Sequence, residues 1–144
     1  MRSKLLHDNQ GERTFVVIFD KGDEPMDGLA RFAKEQKLSA ARISGIGAFS
    51  DATLGFFDRG TMNYKEIPVK DQVEVLSLLG DIALSDDEPK VHVHVVLGKV
   101  DGSTVGGHLI RAEVWPTLEV MVVESPTHLR KYHDKETGLA LIRP

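Results

Sequence analysis

Histidines recur in two neighbouring segments of the chain. Residues 91–97 read Val-His-Val-His-Val-Val-Leu, and His108 lies in a second partly apolar run, 105–109. Because successive side chains of a β-strand point to opposite faces, His92 and His94 share one face, with Cα atoms roughly 6 to 7 Å apart. Imidazole nitrogens at this spacing are close enough to share one metal ion.

The face on which His108 lies depends on the turn between the two segments. The connection contains Asp101-Gly102, which is typical of a β-hairpin. With an odd number of loop residues, or an even number plus a bulge, His108 lies opposite position 94 or 96 and shares the face of the other two histidines. With a two-residue turn at Asp101-Gly102 it lies opposite Val95 and faces away. The three-histidine site therefore depends on one residue of register.

Three nitrogen ligands leave a fourth tetrahedral position, which catalytic zinc sites use to hold water. An enzyme would also need a general base near that water. Glu119 and Asp81 are the two candidates for this role. Either carboxylate could instead orient an imidazole by accepting its second N–H. A surface position without a partner is the alternative for both.

Composition narrows the class of protein. With 144 residues, of which 41% are apolar, the chain is expected to form a single domain over 1–144. A net charge of −4 argues against direct nucleic-acid binding. The basic residues of 128–135 are interpreted as a solvated face, with an anion site as the alternative. Since there is no cysteine, metal ligands must be histidine or carboxylate.

No apolar run approaches the ~20 residues of a membrane span and no signal peptide is recognised, so we expect a cytoplasmic protein.

The elements that would position these residues are one helix and many strands. Pro25 and the apolar spacing that follows it predict a helix over 25–37 that covers one side of a sheet. Pro68 is expected to interrupt its segment, and Pro116 to mark an edge, a bulge or a strand end. The pattern predicts an α+β fold with a mostly antiparallel sheet. Apolar and β-branched runs predict strands at 13–19, 40–48, 52–57, 62–69, 73–84, 91–97, 105–114 and 118–123.

Several of these segments together resemble the plant and prokaryote conserved domain (PPC, also written PCC). The resemblance spans about 12–125 and rests on 46–48, 78–82, 89–94, 106–109 and 118–120. It implies a compact α+β domain that assembles as a homotrimer, with bacterial and archaeal members that can hold zinc. By position, His92, His94 and His108 match the metal ligands of such members.

The resemblance implies a stand-alone zinc-binding module that binds a small molecule or a protein partner, or that mediates assembly. A first alternative is a zinc-dependent hydrolase or lyase that acts on a small molecule between subunits. A second is a DNA-associated regulator that acts through partners, because plant members of the family carry AT-hook motifs. The Arg-Gly-Arg-Pro core of an AT-hook does not occur here, since Arg59-Gly60 continues as Thr61-Met62.

Overall fold

A computed structural model describes residues 1–143 as nine strands and one helix. The single-domain prediction extends to Pro144, which lies outside the described residues. No helix within 1–143 is both long and apolar enough to cross a membrane. The elements are β1 (Arg2–Asn9), β2 (Glu12–Asp20), α1 (Pro25–Glu35), β3 (Ala40–Asp58), β4 (Asn63–Val69), β5 (Val73–Ser85), β6 (Glu88–Gly98), β7 (Thr104–Glu124), β8 (Lys131–His133) and β9 (Ala140–Ile142).

Seven of the strands form one antiparallel sheet in the order β1-β2-β7-β6-β5-β3-β4. The long strand β7 also pairs with β3. The pairings β3–β5, β5–β6, β6–β7 and β7–β3 therefore close into a ring, with β1, β2 and β4 attached to its outer edges. The predicted α+β class with a mostly antiparallel sheet is confirmed.

Helix α1 covers the apolar face of this sheet. Glu24 caps its first turn, since its Oε2 accepts the Asp27 backbone N–H at 2.6 Å. Leu29 and Phe32 are fully buried and belong to the main core. The helix ends two residues before the predicted Lys37, because that residue adopts a left-handed φ of 53° that stops helical hydrogen bonding.

The core fixes the direction in which the histidine strand faces. In β6, Val93, Val95 and Leu97 are buried against the core, so the alternate side chains point outward. Leu109 of β7 is also fully buried, which sends its neighbour His108 to the outer face.

Three local features differ from the sequence-based expectation. Strand β1 was not anticipated, because its side chains are exposed along its whole length and it is held through pairing with β2. Pro68 lies within β4 rather than interrupting it, since β4 is an edge strand and needs no N–H donor on its open side. Strand β7 continues through Pro116, after a cis Trp115–Pro116 peptide, and the predicted bulge appears there as a register shift against β3.

The chain ends in a small two-stranded unit formed by β8 and β9, called here the C-terminal hairpin (131–142). The segment before it is tied to the main sheet. The Leu84 N–H donates to the Leu129 carbonyl at 2.8 Å, and the Leu129 N–H donates to the Ser39 carbonyl at 3.1 Å. These bonds hold the C-terminal hairpin beside the C-terminal end of β5.

Candidate metal centre

The turn between β6 and β7 sets the register of the histidines. Gly98 pairs with Thr104, so the loop contains the five residues 99–103, an odd number. Ser103 donates from its backbone N–H (2.9 Å) and its hydroxyl (2.6 Å) to the Asp101 carboxylate, which holds the loop in shape. His108 consequently lies directly opposite His94, as expected for an odd loop.

The three imidazoles converge on the outer face of the sheet. One ring nitrogen from each of His92, His94 and His108 lies within 4.8 Å of the others. The Nε2 atoms of His92 and His94 are 3.2 Å apart. Two nitrogens bound to one tetrahedral zinc, at 2.0–2.1 Å each, are separated by about 3.4 Å. His92 and His94 are therefore already at the spacing that a shared ion requires.

The hydrogen bonding of the rings also fits a cation. The Nδ1 atom of His108 is buried and has no hydrogen-bond partner among the described residues. A buried polar atom without a partner costs free energy. His92 Nδ1 lies 3.2 Å from Asp81 Oδ2, and donation of its proton there leaves the Nε2 lone pair of His92 free to bind a metal.

Asp81 lies opposite His92 on β5 and links the cluster to the C-terminal hairpin. Its Oδ2 faces His92, and its Oδ1 lies 2.7 Å from the Nζ of Lys131. Burial alone raises the pKa of Asp81, but hydrogen bonds from His92 and Lys131 and the charge of Lys131 outweigh burial and lower it. Of the two roles predicted for Asp81, its position matches the one that orients an imidazole.

Burial keeps two of the rings in the form that binds metals. Burial, supported by the charges of His92, His94 and Lys131, lowers the pKa of His108 to about 4. Burial and the charge of His92 also lower the pKa of His94. Both rings are therefore neutral at neutral pH, and a neutral imidazole has the lone pair that a metal needs.

Glu119, the second candidate base, lies apart from the histidines within one chain. It is on the C-terminal half of β7, opposite Ile18 of β2 and Ile46 of β3. It lines a groove together with Ile46, Leu76, Leu79 and Met121. Its carboxylate is therefore separated from the cluster that contains Asp81.

Two residues beside the cluster were not identified from the sequence. The Tyr64 ring lies 4.9 Å from the His108 ring, and Gly55 leaves room for it, since a Cβ there would lie 2.7 Å from Tyr64 Cδ1. Lys131 belongs to the basic run that was interpreted as a solvated face, yet its side chain is only 7% exposed. That interpretation is wrong for Lys131, which reaches Asp81 through the packing of the C-terminal hairpin.

Residues 7–126 match the Plants and Prokaryotes Conserved (PCC) domain. The chain belongs to this family. The match includes all three histidines and Asp81, and it ends before the C-terminal hairpin. The PCC resemblance inferred from the sequence is thus confirmed.

Three solved structures share the fold along nearly the whole chain. A metal-containing protein from Archaeoglobus fulgidus is 35% identical with a TM-score of 0.84, over 93% of this chain and 95% of that one. A plant- and prokaryote-conserved protein from Pyrococcus horikoshii is 32% identical with a TM-score of 0.85, over 99% and 95%. A candidate DNA-binding protein from Bacteroides thetaiotaomicron is 25% identical with a TM-score of 0.89, over 98% and 96%.

Curated relatives match over a smaller share of their length. The bifunctional protein GlmU of a Synechococcus strain is 31% identical over 115 residues, which are 78% of this chain and 17% of that protein. The chain therefore spans about a sixth of the length of this relative.

Proposed function

We propose that this PCC-domain protein binds zinc through His92, His94 and His108 and works in the cytoplasm as a homotrimeric module that binds a ligand or mediates assembly. The observation that carries the proposal is the convergence of three imidazoles, with their ligand atoms within 4.8 Å, on one outward face. The metal-containing relative from Archaeoglobus fulgidus supports it.

Each residue has a distinct part in the proposed site. The three histidines hold the ion, and Asp81 fixes the His92 ring by accepting its Nδ1 proton. A bound zinc supplies a Lewis acid with a fourth coordination position for water or a ligand. The Tyr64 ring packs beside His108 and restricts that ring's movement.

The proposed homotrimer is supported by an apolar patch on the outer face of the sheet. Ile46, Leu76 and Leu79 are 61%, 54% and 60% exposed and line one groove. Large exposed apolar patches of this kind usually mark surfaces where proteins associate. Packing of a second and a third copy against this patch would remove it from water.

A zinc-dependent hydrolase or lyase is the second candidate function, favoured by the open fourth position of a three-histidine site. Asp81 is already engaged by His92 and Lys131, so it is poorly placed to take a proton from a bound water. Glu119 lies outside the cluster of one chain and would have to reach the metal from a neighbouring subunit. This alternative therefore requires an active site between subunits.

A DNA-associated role through partners remains a prediction. The Bacteroides thetaiotaomicron relative, described as a candidate DNA-binding protein, keeps this role open. The net charge of −4 argues against direct contact with phosphates.

Elemental analysis of purified protein tests the proposal. We expect about one zinc per chain in the wild type and a large loss in His94→Ala and His108→Ala, because two imidazoles hold the ion far more weakly than three. His133→Ala is the matched control, since this exposed histidine lies outside the cluster. Full zinc content in folded His108→Ala would contradict the ligand set.

The same proteins separate the two candidate functions. A screen of small molecules with wild type and His94→Ala should show saturable binding without turnover if the protein is a binding module. Turnover that requires the metal and is lost in His94→Ala would favour the enzyme.

A further inference from the structure

Lys131 is a buried cation beside the proposed metal site. Its side chain is 7% exposed, and its Nζ lies 2.7 Å from Asp81 Oδ1. The residue belongs to β8 of the C-terminal hairpin, outside the region that matches the PCC domain. A lysine that is almost fully buried needs a compensating partner, and the carboxylate of Asp81 supplies it.

The Lys131–Asp81 pair determines the net charge around the proposed ion. The proposed ligands are three neutral imidazoles, and among residues 1–143 Asp81 is the one carboxylate that contacts them. Lys131 cancels the negative charge of Asp81. A divalent ion bound to the histidines therefore keeps its two positive charges uncompensated, in surroundings where Coulomb interactions are less screened than in water.

We propose that Lys131 keeps the zinc site cationic, so that the site takes a small oxyanion, a carboxylate or a phosphate, at the fourth metal position. The proposal rests on zinc binding by His92, His94 and His108. An uncharged ligand gains only the coordination bond at this position. An oxyanion also gains the attraction of the ion and of the nearby ammonium.

The two effects of the Lys131 charge have opposite signs. Its repulsion weakens binding of the metal ion, and its attraction strengthens binding of an anion to the loaded site. A purely structural role would act differently, because a disturbed Asp81 would hold His92 less well and would lower the affinity for the metal. The sign of the change in metal affinity therefore distinguishes the two roles.

The test uses Lys131→Gln, which keeps a hydrogen-bond donor for Asp81 and removes the charge. The dissociation constant of Co²⁺, followed by its visible spectrum, should fall roughly tenfold relative to wild type. Titration of the cobalt-loaded protein with acetate, and separately with inorganic phosphate, should show weaker anion binding in Lys131→Gln by a similar factor. The acetate and phosphate series identify which oxyanion the site prefers.

Lys131→Arg keeps the charge and should retain wild-type values for both constants. Lys135→Gln removes an exposed charge from the turn of the same hairpin and should change neither. Unchanged or weaker cobalt binding in Lys131→Gln would overturn the inference, as would a wild-type loaded site that binds neither anion. Failure of the wild type to bind any metal would instead overturn the proposed function.

Discussion

Partial burial of the His108 ring links the chemistry of the candidate metal site to stability at the level of a single residue. The folded state holds the pKa of His108 at about 4, whereas the ordinary value is 6.5. Between these two values the unfolded chain binds a proton that the folded chain does not. By linkage, the free energy of unfolding then decreases as the pH falls through this window.

We predict that metal-free protein loses stability as the pH falls from about 6.5 to about 4, with no further contribution from His108 below that range. His108→Gln has no titrating group at this position, so its stability should depend less steeply on pH in the same window. Urea unfolding of both proteins at pH 7, 5.5 and 4 measures the difference. Parallel pH profiles would show that His108 has an ordinary pKa in the folded state.

The shared face of the candidate ligands His92 and His94 was predictable from the sequence, whereas the residues around them were not. Because side chains alternate between the two faces of a strand, His92 and His94 share one face in any sheet that contains this strand. Lys131 and Tyr64 approach the site only through long-range packing, from the C-terminal hairpin and from the edge strand β4. Charge patterning along the chain carries no signal for such an approach, which is why Lys131 was assigned to the surface.

At the level of elements, the β6–β7 hairpin carries the site and β5 supports it. Close approach between β5 and β6 depends on Gly80, since a Cβ there would lie 2.2 Å from the His92 carbonyl oxygen and 2.9 Å from Val93 Cγ2. A side chain at this position would push apart the strands that bring Asp81 to His92. The backbone spacing is therefore part of the site.

We predict that Gly80→Ala lowers the free energy of unfolding of the metal-free protein by about 1–3 kcal/mol, the usual cost of forcing extra volume into a packed region. It should also weaken zinc binding, because Asp81 follows directly in β5. Gly98→Ala is the control, since its Cβ would meet only the Leu76 side chain, at 3.1 Å. Denaturant unfolding should give a clearly smaller loss for Gly98→Ala, and equal losses would contradict the role assigned to Gly80.

Turn chemistry predicted the hairpin but not its register. The Asp101-Gly102 pair fits both a two-residue turn and a longer loop, and these place His108 on opposite faces. The choice is made by the bonds of Ser103 to Asp101 and by the pairing of Gly98 with Thr104. Neither of these is specified by residue type alone.

At the level of the whole molecule, sequence patterns predicted the fold class but not the closed ring of strands. Ring closure depends on β3 and β7, each long enough to pair with different neighbours along its two halves. Sequence patterns divided β7 at Pro116 and β3 between residues 48 and 52, where the structure instead has bulges. Closure leaves one face of the sheet outside the core, and that face carries both the histidines and the apolar groove.

We predict that Ile46→Glu prevents assembly of the proposed trimer, because a charge would be buried where apolar groups meet. Sedimentation or light scattering should show a shift from trimer to monomer. Val100→Glu adds the same charge at a fully exposed loop tip and should leave the assembly unchanged. A trimer that persists in Ile46→Glu would place the subunit interface elsewhere.

The location of all three candidate ligands within one hairpin has a consequence for how much an ion can stabilise the fold. His92, His94 and His108 stay close along the chain even after denaturation, so the unfolded polypeptide can chelate the same ion. Only the difference between the two affinities contributes to stability. Zinc would then raise the free energy of unfolding by less than its affinity for the folded domain suggests. A site whose ligands come from distant parts of a sequence differs, because unfolding separates those ligands.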